Sequence, residues 1–159
     1  MKKGFTLVEL MAVIILIGVI GLISIPLIIN TIDKQKAKSF KISVEGLVEA
    51  AKQDLESNGS KFPREYVYKV VNNKRDLYLV KDNNEYESLQ VSGLIKNQAT
   101  ARIMYNNNGI LMLYVKNKTY CAVKGRNDLD IIYGKYQEDV CLDEEGYSLN
   151  EKISSLIEE

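Results

Sequence analysis

Between Phe5 and Ile29 the chain runs for 25 residues with one charged side chain, Glu9. As a helix rising about 1.5 Å per residue the run reaches about 37 Å, enough to cross about 30 Å of hydrocarbon with some tilt. The four residues ahead of it, Met1-Lys2-Lys3-Gly4, are basic and too short for a secretory signal. No small-residue cleavage site follows the run. Gly18, Gly21 and Pro26 lie inside it. Each glycine weakens a helix by about 1 kcal/mol relative to alanine, and proline removes a backbone donor. The stretch from Gly18 to Pro26 is therefore expected to stay helical in lipid, where the backbone has no other partner, and to be a place for local melting elsewhere.

These residues carry a resemblance. Basic leader, Gly4–Phe5 junction, Thr6, Glu9 and a long apolar run occur together and in order. The combination resembles the prepilin N-terminus of type IV pilins and pseudopilins, over roughly residues 1 to 30. The resemblance implies cleavage after Gly4 by a prepilin peptidase and N-methylation of the new terminus at Phe5. It implies that Glu9 pairs with a terminal amine at Phe5, its own or a neighbour's, and so sets register during assembly. Pro26 matches the family's helix-bending proline, and Gly18 and Gly21 join it as helix-bending positions. The partners implied are copies of the same chain, the peptidase, the pilus assembly machinery and, before assembly, the cytoplasmic membrane. The final location would be an extracellular filament. Charge counting opposes that orientation, because Lys34, Lys36, Lys38 and Lys41 follow the segment while only Lys2 and Lys3 precede it. The orientation is taken from the resemblance and from the cysteines.

After Asn30 the pattern becomes amphipathic. Phe40, Val44, Leu47, Val48, Ala51 and Leu55 recur at steps of three and four. This predicts one helix continuing to about Glu56 and ending at Ser57-Asn58-Gly59-Ser60, with Gly59 as a C-terminal cap. Strands are expected at 66–71, 76–81, 99–105, 110–116 and 119–125, rich in β-branched and aromatic residues. Asn72 to Arg75, Asn106 to Gly109 and Asn117-Lys118 are the turns between them, and the last three strands form an antiparallel meander. Ser88 to Ile95 reads as a short helix or a loop. The fold class is α+β: a long helical stem whose amphipathic half packs on an antiparallel sheet, a pilin-like lollipop. The expected segments are a leader at 1–4, a membrane or filament-core helix at 5–30, its amphipathic continuation at 31–57 and a sheet head at 58–159.

Cys121 and Cys141 are the only cysteines. Outside the cytoplasm the leading expectation is a disulfide bounding the loop 121–141; two unrelated reduced thiols are the alternative. Residues 126–146 are polar and acidic and read as a solvated loop. The oxygen ligands are abundant enough for a calcium loop, but the spacing matches no EF-hand. The closing SLNEKISSLIEE predicts a short helix from Ser148 with Leu149, Ile153, Leu156 and Ile157 on one face. The sequons at Asn58 and Asn117 fall in turns and read as turn chemistry.

Lysine plus arginine and aspartate plus glutamate balance at 21 each, and histidine is absent. No global field draws in nucleic acid, and the usual near-neutral proton shuttle and commonest metal ligand are missing. No cofactor is expected, and no nucleophile–base pair stands out, which argues against an enzyme. Two function classes remain. One is a filament subunit whose oppositely charged head surfaces pack on one another, either a pilin or a minor pilin or pseudopilin of a competence or secretion system. The other is a membrane-anchored extracellular binding module that never polymerises.

Overall fold

The computed structural model describes residues 6–59, 61–71, 74–80, 85–89 and 99–157. The chain divides into two compact units, Met1–Lys38 and Ser39–Glu159. One helix, α1 (Leu7–Ser57, 51 residues), contributes to both. It runs without interruption through Gly18, Gly21 and Pro26.

In the first unit the helix buries almost nothing. Leu7 and Leu22 are 74% and 78% exposed, and Ile14, Ile17 and Ile23 are also exposed. Its most apolar 18-residue window has a mean hydropathy of 3.0 and is 0% buried, and the helix is long and apolar enough to cross a membrane. Apolar area left in water at this density forgoes about 25 cal/mol per Å², so the surface calls for lipid or other apolar helices.

The second unit is built on one eight-stranded sheet: β1 (Arg64–Val71), β2 (Lys74–Val80), β3 (Tyr86–Leu89), β4 (Thr100–Tyr105), β5 (Leu111–Lys116), β6 (Tyr120–Lys124), β7 (Ile132–Gln137) and β8 (Val140–Leu142). Its order is β3-β2-β1-β4-β5-β6-β7-β8, with every pair antiparallel. Successive side chains alternate between faces, and both faces are used. On one face Tyr66, Tyr68, Leu77, Ile103, Leu113, Val115 and Ala122 pack with Phe40, Val44, Leu47, Ala51 and Leu55 of α1. On the other, Met104, Met112, Cys121, Val123 and Cys141 pack with Leu149, Ile153 and Leu156, the last two from α2 (Asn150–Ile157). The apolar periodicity expected of residues 40–55 is the face that α1 buries.

At the end of α1, Asp54 ties the helix to β1. It is 8% exposed and accepts from Asn58 Nδ2 at 2.7 Å, Arg64 Nη1 at 2.5 Å and the Tyr66 hydroxyl at 2.9 Å. Burial pushes the Tyr66 hydroxyl up from its ordinary pKa, so it stays a donor. Gly59 follows the helix at φ +71°, as its capping role requires.

Three sequence expectations need correction. The β1–β2 hairpin pairs Val71 with Lys74, so Lys74 and Arg75 belong to the strand and only Asn72-Asn73 separates the two. The Ser88–Ile95 reading as helix or loop fails at its start: Ser88 and Leu89 close the edge strand β3, and Ser88 Oγ donates to Asp76 at 2.7 Å. Residues 90–95 lie outside the described set. The polar loop at 126–146 contains the hairpin β7–β8. Its tip, Glu138-Asp139, has φ of 48° and 63°, the left-handed pair of a two-residue hairpin turn, normally supplied by Asn-Gly or Asp-Gly. Within it Gly134 is required sterically, since a Cβ there would lie 1.9 Å from the Leu142 carbonyl oxygen.

Candidate processing and assembly site

The first described residue, Thr6, is the N-cap of α1. Its backbone N–H and its hydroxyl both donate to Glu9 Oε2 at 2.8 Å, and the Glu9 N–H donates to Thr6 Oγ1 at 3.3 Å. Thr6-Leu7-Val8-Glu9 is thus a capping box: the threonine side chain and the glutamate three residues on satisfy each other's orphan N–H groups. The acid at the head of the apolar run therefore has a local structural role. Placed in the first turn it also meets the positive end of the helix dipole. The T-x-x-E spacing is the sequence signal for this cap, alongside its place in the prepilin resemblance.

Capping does not exhaust Glu9. Both Thr6 donors go to Oε2, and an ionised carboxylate offers about four lone-pair sites. Acceptor capacity remains for a cationic donor arriving at the helix start. Gly4 and Phe5 lie outside the described residues. Gly18 and Gly21 lie on the helix, and among the described residues nothing beyond their chain neighbours and the helix's own nearby backbone comes within 4 Å of where a Cβ would sit.

The cysteines are far along the chain from this end. Cys121 of β6 and Cys141 of β8 are both fully buried and joined by a disulfide, S–S 2.07 Å. The bond spans the hairpin partner β7, which lies between those strands. Asp128, in the β6–β7 connection, binds Lys152 of α2 at 2.5 Å and accepts the Gly125 N–H at 2.8 Å. Burial would raise its pKa, but the Lys152 and Gly125 donors outweigh burial and hold the carboxyl below its ordinary range. The sequon residues serve their turns. Asn117 Oδ1 accepts from Thr119 and Tyr120 at 2.8 and 2.7 Å, and Asn58 Nδ2 is held by Asp54. Among the described residues no group of three or more His, Cys, Asp or Glu converges as a metal site would.

An α+β head attached to a bare apolar helix, capped by Thr6 and Glu9 behind a basic leader, defines a membrane-anchorable protein of pilin-like build. Residues 1–25 match the family model described as the prokaryotic N-terminal methylation motif, the type IV pilin and pseudopilin signal. That motif marks a structural protein family and implies handling by a prepilin peptidase and an assembly machinery. Comparison with curated proteins and with solved structures finds no match.

Proposed function

We propose that the chain is a filament subunit of the type IV pilin kind. The observation that carries this reading is the uncovered apolar helix beginning at a Thr6–Glu9 cap within the methylation motif. Hydrolysis of the Gly4–Phe5 bond consumes one water and leaves a carboxylate on Gly4 and a free amine on Phe5. Methyl transfer to that amine from a sulfonium-type methyl donor forms the N–CH3 bond as the S–CH3 bond breaks, leaving a neutral thioether and releasing one proton. With a pKa near 8 for an ordinary α-amino group, the amine stays largely cationic at neutral pH.

A carboxylate in hydrocarbon costs several kcal/mol unless paired. In the membrane Glu9 is held by its own cap; in the filament it gains the Phe5 amine of its own or a neighbouring chain. The pairing draws each incoming terminus to one depth and so fixes axial register. Residues 5–30 form the filament core, 31–57 continue the helix, and 58–159, with the 121–141 disulfide, face outward. Gly18, Gly21 and Pro26 lower the cost of opening the helix when lipid is exchanged for packed neighbours. A major pilin is the first reading, and a minor pilin or pseudopilin of a competence or secretion system the second.

Electron microscopy of material sheared from cells producing the chain tests the proposal. Filaments that disappear when the gene is removed support it. Processed protein that remains wholly in the membrane, in cells whose assembly machinery is intact, favours the non-polymerising anchored module.

A further inference from the structure

Cys121 and Cys141 are 0% exposed, although both lie on strands near one edge of the sheet. A side chain on one face of a single sheet is open to solvent unless something packs on that face. Here the cover is the segment that follows β8. Leu149, Ile153 and Leu156 share one buried cluster with the two cysteines, and α2 packs on β5 and β6, the second of which carries Cys121. The Leu149 N–H donates to the Cys141 carbonyl at 2.8 Å, and the Cys141 N–H donates to Asn150 Oδ1 at 3.2 Å. The start of α2 is thus tied to the backbone of one of the bonded cysteines.

Cover and sheet have unequal support. α2 has eight residues, and a helix that short is not stable in water without the surface it lies on. Three apolar side chains, the hydrogen bonds at its start and the Lys152–Asp128 pair hold it down. The sheet beneath has antiparallel pairings from β3 through β8 and the α1 stripe on its other face. The disulfide itself joins β6 to β8, so that edge stays in place when α2 leaves it. Elements differ in this way when one part of a fold opens at lower cost than the whole.

We propose that α2 is a lid on the Cys121–Cys141 bond: thiol–disulfide exchange at either sulfur needs α2 to lift and does not need the sheet to open. Exchange begins when a thiolate of an external dithiol attacks one sulfur. The attack breaks the S–S bond, joins the attacking sulfur to one cysteine and releases the other as a thiolate. The second thiol of the dithiol then displaces the joined cysteine. The dithiol leaves as a disulfide, two electrons pass to the bond, and the two protons it gave up end on Cys121 and Cys141. Formation is the same path reversed, with an external disulfide as electron acceptor, and passes through the same lid-open state. Oxidation therefore precedes the docking of α2, and docking then shields the bond from thiols. The inference stands on the unit Ser39–Glu159 and holds whether or not the chain polymerises.

The test exposes the oxidised full chain, in detergent micelles, to dithiothreitol over a series of urea concentrations below its unfolding transition. Free thiols are capped with a maleimide and counted by intact mass, while near-ultraviolet circular dichroism follows global unfolding. The reduction rate should be nearly independent of urea at low concentration, because lifting one short helix exposes little surface, and should join the steep global dependence only near the midpoint. Leu156→Ala should raise the low-urea rate by about tenfold or more. Lys152→Met keeps the stem, loses the pair with Asp128 and should raise that rate about threefold. Ile103→Val, buried on the α1 face, should lower the global midpoint and leave the low-urea rate within about twofold of the parent's. A reduction rate that follows global unfolding over the whole range would overturn the lid. So would low-urea rates unchanged by Leu156→Ala and Lys152→Met, or raised as much by Ile103→Val as by Leu156→Ala.

Discussion

Glu9 has two tasks that ordinary mutagenesis would confuse, capping α1 and pairing with a terminal amine, and one substitution separates them. Glutamine serves a capping box as glutamate does, so Glu9→Gln keeps the Thr6 cap while removing the charge. Helix start and membrane insertion should be normal, since a neutral amide costs less in lipid than an acid. Filament yield should fall to few or none, because the amine of an incoming subunit finds no anion. Removing one partner of a buried pair costs about 3–5 kcal/mol, and the loss recurs at every subunit. Thr6→Val does the opposite: it keeps the charge and removes the hydroxyl cap, at a cost of about 1 kcal/mol at the helix start. Immunoblots of membrane and sheared fractions read both. Glu9→Gln filaments at normal yield would remove the pairing from the account. At this scale the acid is conspicuous in the sequence because it is the one charged side chain between Phe5 and Ile29. Its cap is equally legible from the T-x-x-E spacing, a second role that the family resemblance does not require.

The elements show where sequence patterns suffice. The α1 stripe from Phe40 to Leu55 was legible because a single face repeats over four turns. The Asn106–Gly109 turn was legible because its chemistry is local: Asn106 Oδ1 caps Asn108 and Ile110, and Gly109 takes φ +75°. The hairpin β7–β8 was not, because Glu138-Asp139 adopts left-handed backbone without the glycine that announces it. Its short strands among acidic residues are held by tertiary means, the Cys121–Cys141 bond and the Asp128–Lys152 pair. Replacing both cysteines with alanine should cost about 3 kcal/mol for a loop of this length and open residues 126–146 to protease. Limited proteolysis with unfolding midpoints measures this; an unchanged midpoint would contradict it. The Asp128 carboxyl, held below its ordinary range, stabilises the fold above the unfolded-state value near pH 4, and that contribution is lost as pH falls through the lower folded value. Asp128→Asn should therefore lower stability at neutral pH and show a shallower acid decline than the parent in unfolding midpoints taken from pH 7 to pH 2.

For the whole molecule, the division of labour follows the distribution of apolar surface. The unit Ser39–Glu159, which includes the C-terminal part of α1, closes its own core on both faces of the sheet. The N-terminal half of α1 closes nothing and must be completed by lipid or by other copies. The proposed sequence of membrane, cleavage and filament supplies those two environments in turn, and the cut at Gly4–Phe5 is the step on which the rest depends. Intact-mass analysis of the protein sheared from the cell surface tests it most directly. The account predicts a chain beginning at Phe5 and carrying one methyl group on its amine, with Cys121 and Cys141 oxidised. Surface protein that retains Met1 to Gly4, or begins at Phe5 without the methyl group, would contradict it.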